Sequence, residues 1–195
     1  MSTTKEKIVK EKHCMIPRIL ASAGVDAWMV VTREDSDPVL PLVLGEHLVM
    51  DTALIFTPHG STAVLGHISM SAGHGRLFDR VVEYTPGKLE DSLVPLLKEM
   101  DPKVLALNFS ESDHTSDGLS LGLYRRLQRA LGTWLAGREA SAEDIVAELR
   151  GTKSASEIEL LEAAARITMD VSDGSDPASE LVSPTENSTT SSERR

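Results

Sequence analysis

What most constrains this chain is the order in which short apolar runs alternate with helical patterns. Residues 27–32 (AWMVVT) form a nearly continuous apolar run, as expected of a strand buried on both faces of a sheet. Two further runs follow at 52–57 (TALIFT) and 62–66 (TAVLG), and the loop Pro58-His59-Gly60-Ser61 between them predicts a β-hairpin. Residues 81–84 then lead to a Pro86-Gly87 turn, a helix over 89–100 and a strand over 104–109. Helices are also predicted over about 119–131 and about 141–149. Near the amino end, Ile8, Met15, Ile16, Ile19 and Leu20 share one helical face, with Pro17 expected to kink that helix and Gly24 to end it. Strands alternating with helices, with a hairpin among them, predict an α/β fold: a mixed β-sheet flanked by helices.

The composition breaks near residue 171. From Ser172 to Arg195, ten of 24 residues are Ser or Thr, and Leu181-Val182 is the only apolar aliphatic pair. Such a stretch buries too little apolar area to offset its ordering entropy, so residues 171–195 are expected to be a disordered C-terminal tail. No internal repeat is visible.

Charge narrows the partners. Thirty acidic against twenty basic residues leave a formal net charge of -10. Nucleic-acid binding draws on cations that neutralise phosphates, so no nucleic-acid partner is expected. Arg125, Arg126 and Arg129 lie at helical spacing and read as a solvated helix face. No apolar run approaches the roughly 18 residues of a bilayer span, so no membrane association is expected. The first twelve residues lack the apolar core of a signal peptide. Cys14 is the one cysteine, reads as a packing residue of the first helix and fits a reducing, cytoplasmic setting.

Catalytic patterns are sparse. The six histidines include no His-Glu-x-x-His, and His67 and His74 stand among small residues that disfavour a helix. His47 and His114, beside Glu46 and Asp113, read as surface contacts. Ser69-Met70-Ser71-Ala72-Gly73 lacks the first glycine of a nucleophile elbow, and no strand is expected to lead cleanly into it. Gly73-His74-Gly75 lacks the third glycine of a dinucleotide loop, which weakens the reading of a nucleotide-binding module. One polar cluster keeps interest: Arg33-Glu34-Asp35-Ser36-Asp37-Pro38 directly follows a buried strand, a common ligand position in α/β sheets.

The segment Glu148-Leu149-Arg150-Gly151-Thr152-Lys153-Ser154-Ala155-Ser156-Glu157-Ile158 adds a second kind of information. Ser154 and Glu157 make a capping box that opens a last helix, with Ile158, Leu161, Ala165 and Thr168 on one face. The segment resembles the "LR-x-x-K-S-x-x-E-I" junction of the metallopeptidase family that contains creatinase, aminopeptidase P and prolidase, the pita-bread enzymes. There it joins a non-catalytic N-terminal α/β domain to the catalytic domain. The resemblance implies a creatinase N-terminal-like domain over 1–150 and, over 151–170, a linker helix that would lead into a catalytic domain. The family binds two divalent metals, of Mn or Zn type, on two Asp, one His and two Glu in the domain after the junction. None of those ligands has a counterpart here, so no cofactor, metal ligand or catalytic residue is expected in this chain. The implied role is a non-catalytic domain of a Xaa-Pro aminopeptidase or prolidase-like enzyme, acting in dimerisation or partner association. The partner would be a second copy or a catalytic metallopeptidase chain. The alternative is a fragment or subunit of an active proline-specific metalloaminopeptidase. Arg33, Glu34 and Asp37 are the expected contact residues for substrate or partner.

Overall fold

The structure, a computed structural model, describes residues 3–84 and 87–172. The chain divides into two compact units, Met1–Ser156 and Glu157–Arg195.

In the first unit, α1 (Thr4–Ala23) starts at a reciprocal cap: Thr3 Oγ1 accepts the Glu6 amide and Glu6 accepts the Thr3 amide. It runs unbroken through Pro17 and ends at Gly24, whose φ of 66° is the left-handed conformation glycine adopts without strain. The buried face is Val9, Lys12, Ile16, Ile19 and Leu20, while Ile8 and Met15 are half-buried. Cys14 lies about 200° around the helix from both Lys12 and Ile16. It is therefore exposed, which corrects its reading as a packing residue.

Strands β1 (Ala27–Arg33), β2 (Asp51–Thr57), β3 (Gly60–Gly66), β4 (Arg80–Tyr84), β5 (Leu105–Leu107) and β6 (Glu139–Ser141) form one sheet in the order β4-β3-β2-β1-β5-β6. β2 runs antiparallel to both β1 and β3, whereas β3/β4, β1/β5 and β5/β6 are parallel. The hairpin is tighter than the sequence suggested: Thr57 pairs with Gly60, so the connecting loop is Pro58-His59 alone. Strand β6 gave no sequence signal, because Glu-Ala-Ser at a sheet edge needs no apolar run.

Successive strand residues point to opposite faces, and both faces are covered. Trp28, Val30, Leu54, Phe56, Leu65 and Ala106 meet α1, α2 (Leu40–Val43) and α6 (Glu143–Gly151). Met29, Val31, Ile55, Val64, Leu105 and Leu107 meet α4 (Leu89–Met100) and α5 (Leu121–Leu131). Burial on both sides explains the continuous apolar runs. A short α3 (His67–Ser71) follows directly on β3. The last helix, α7 (Ala155–Ser172), opens in the first unit and continues into the second. It extends through residues 171 and 172, where the sequence reading had the tail begin. The rest of that tail and Pro86 of the expected turn lie outside the described residues.

Candidate functional site

The carboxyl ends of β1 and β5, which are parallel neighbours, carry the loops that hold the polar cluster. Trp28 of β1 is fully buried, and its indole N–H donates to Asn108 Oδ1 at 2.7 Å. The Asn108 amide in turn donates to Asp37 Oδ2 at 2.9 Å, and the Val39 amide donates to Asp37 Oδ1 at 2.9 Å. Asp37 is only 2% exposed, and burial raises its pKa above the ordinary carboxylate value. Arg150 approaches from α6, donating to the Pro38 carbonyl at 2.7 Å and attracting the Asp37 charge. This line of hydrogen bonds ties the loop after β1 to the end of β5 and to α6.

The three expected contact residues therefore separate. Asp37 is turned inward. Arg33 and Glu34 are exposed at the surface, Arg33 lying 3.4 Å from Asp51 and Glu34 holding a positive φ of 53°. Asp51 also accepts from Arg126 at 2.5 Å, and Arg126 grips both Glu90 oxygens at 2.7 and 3.1 Å. That grip holds the Glu90 pKa down and the Arg126 pKa up. Arg125 and Arg129 are exposed as a solvated face requires, but Arg126 is a half-buried link between α5, α4 and β2. Spacing alone could not distinguish them, since the carboxylates lie 36 and 75 residues away.

Beside Ser36 opens a cavity of about 760 Å³, walled by Phe109, Leu119, Leu121 and Tyr124. No sequence pattern marked it, because its walls come from the loop after β5, from α5 and from β6.

The histidines take separate places. His47 Nδ1 lies 2.6 Å from Asp35, not against its neighbour Glu46, and His67 Nδ1 lies 2.9 Å from Glu83. Among the described residues, no three His, Cys, Asp or Glu side chains gather into a group able to hold a metal ion. Strand β3 does lead straight into α3, contrary to the sequence expectation; Ser69, in the place of the missing glycine, is fully buried, and Ser71, at the nucleophile position, is exposed at the end of α3. Among the described residues, no helix is long and apolar enough to cross a membrane.

The topology first defines a class: a three-layer α/β domain on a six-stranded mixed sheet, with loops gathered at the carboxyl ends of β1 and β5. Within that class, the fold is that of the creatinase/prolidase N-terminal domain. The prolidase of Pyrococcus horikoshii matches at a TM-score of 0.56 and 17% identity, over 81% of this chain and 40% of its own. The X-Pro aminopeptidase of Thermotoga maritima matches at a TM-score of 0.59 and 19% identity, over 75% of this chain and 38% of its own. The creatinase/prolidase N-terminal domain of an X-Pro dipeptidase from Streptococcus pyogenes matches at 0.53 and 16%, over 72% of this chain and 98% of its own. The chain thus spans about two fifths of the first two proteins and nearly all of the isolated domain. No family model matches the sequence, and no curated protein matches it.

Proposed function

We propose that this chain serves as a non-catalytic N-terminal domain of the Xaa-Pro aminopeptidase or prolidase type, acting by association with a second copy or a catalytic metallopeptidase chain. The observation that carries this reading is the surface of α7. Ile158, Leu160, Leu161, Ile167, Met169 and Val171 are each 47% to 63% exposed. Glu159, Glu162, Arg166 and Asp170 share one strip, and these apolar residues spread over about 200° of the rest of the helix, with Glu157 of the first turn among them, about twice the width of the stripe that lies against a single core. Fully burying each large side chain is worth about 1.5–3 kcal/mol, so covering this helix is a strong drive to associate. In the first unit, exposed Arg33 and Glu34 suit charged contacts with a partner, and Asp37 supports their loop from within.

Light scattering on the purified full chain, coupled to size exclusion, tests the reading. A mass above one chain is expected, falling to one chain in Leu160→Glu/Ile167→Glu. A strict monomer that also fails to bind an apolar dye would overturn association. Turnover of X-Pro peptides by the chain alone, with manganese or zinc added, would overturn the non-catalytic role.

A further inference from the structure

Glu139 stands where the sheet register calls for an apolar residue. It pairs with Leu105 across the parallel β5/β6 ladder, and paired residues point to the same face. Leu105 and Leu107 on that face belong to the core under α4 and α5. At the edge strand this apolar layer gives way to a carboxylate, and there the 760 Å³ cavity opens. Phe109 and Leu121 present exposed apolar surface to it, being 37% and 61% exposed. Its charged lining residues are two carboxylates, Asp117 and Glu139, with no lysine, arginine or histidine among them.

The Glu139 carboxylate is incompletely satisfied. The Glu139 carboxylate holds the Tyr124 phenol pKa above its ordinary value, and the Tyr124 hydroxyl accepts from Gln128 at 3.0 Å. Oε1 of Glu139 nevertheless lies buried without a hydrogen-bond partner among the described residues. Glu139 lines the cavity, so a ligand that brings a charged N–H donor gains a charge-assisted hydrogen bond there. An anion would meet only like charge here, whereas a cation finds carboxylates and two aromatic rings.

We propose that this cavity binds the ammonium group of an amine with an apolar body, the N–H donors going to Glu139 and the body lying against Phe109, Leu119 and Leu121. The assignment is independent of the association proposed above, since α7 supplies none of the lining.

Titration calorimetry on the full chain with n-hexylammonium, n-hexanol and n-hexanoate tests it. Hexylammonium is expected to bind about tenfold or more tightly than hexanoate, the difference a charge-assisted hydrogen bond supplies. Glu139→Gln should remove most of that preference while leaving hexanol binding unchanged. Leu121→Ala, at a position too exposed to threaten folding, should weaken hexylammonium and hexanol alike. A leucyl dipeptide amide compared with its N-acetyl form identifies the source of the amine. Loss of binding on acetylation assigns the cavity to peptide amino termini, and binding of hexylammonium alone assigns it to small amines. Equal affinity for hexanoate and hexylammonium, or an ammonium preference unchanged in Glu139→Gln, would overturn the proposal.

Discussion

Lys12 donates from Nζ to the Leu149 carbonyl at 2.8 Å, joining residues 137 positions apart in a fully buried contact. The same ammonium donates to Thr152 O at 2.7 Å, so one cation satisfies two carbonyls at the carboxyl end of α6. Its neighbour Glu11 does the complementary task, accepting the Ser156 amide and hydroxyl at 3.2 and 2.9 Å in the first turn of α7. Hydrogen bonds from Ser154 and Ser156 hold the Glu11 pKa below the usual value. Adjacent charges on α1 thus match two helix ends of opposite polarity, in the segment whose sequence was most recognisable.

Lys12→Met keeps the apolar stem but removes both donors, leaving carbonyls buried and unsatisfied. We expect a loss of about 2–3 kcal/mol, read as a lower urea midpoint with an unchanged slope. A loss below about 0.5 kcal/mol would show that water replaces the ammonium there.

Gly118 is required by the Asp37 carboxylate. A Cβ at that position would stand 2.1 Å from Asp37 Oδ2, which Asn108 and Val39 hold in place. Gly118→Ala is therefore expected to cost about 1–3 kcal/mol through forced displacement of a packed group. Asn108→Ala should cost a similar amount, because it strips partners from Trp28 and Asp37 together. The double variant should cost less than the sum, since both disturb one network.

His13 makes stability depend on pH. Its ring is edge-on to Phe56 and Phe78, Nε2 lies 2.7 Å from the Val43 carbonyl, and burial lowers its pKa despite that carbonyl, the Leu77 carbonyl and Asp79. The unfolded chain therefore takes up the proton first as pH falls through the ordinary histidine value of 6.5. The neutral ring's contribution is complete above that value and is lost as pH falls towards the lowered one. Urea midpoints of the parent chain should drop between about pH 7 and pH 5, and His13→Gln should flatten that decline.

Arg126 couples α5 to α4 and β2. Its side chain is 25% exposed, so solvent screens the pairs only in part. A double-mutant cycle with Arg126→Met and Glu90→Gln should give a coupling of about 1 kcal/mol, shrinking in high salt. The Glu90 share is complete above 4.5 and should fade as pH falls below that value towards the lowered one, because the hydrogen bonds from Arg126 lower the Glu90 pKa.

Local patterns in the chain suffice for the α/β class, the positions of β1 to β5, the span of α4 and the glycine that ends α1. These follow from local causes: an apolar run buried on two faces, a helical period, or a backbone angle only glycine takes cheaply. The tertiary structure alone decided which polar groups turn inward. Lys12 reads as one charge among many on α1, Asp37 as one acid in an acidic turn, Arg126 as one of three arginines and Glu139 as no element at all. Each owes its role to a neighbour that folding brings from 36 to 137 residues away, or to a sheet edge that no local pattern marks. Burial sorts such residues by whether a partner is present, and partners across that distance leave no trace in spacing.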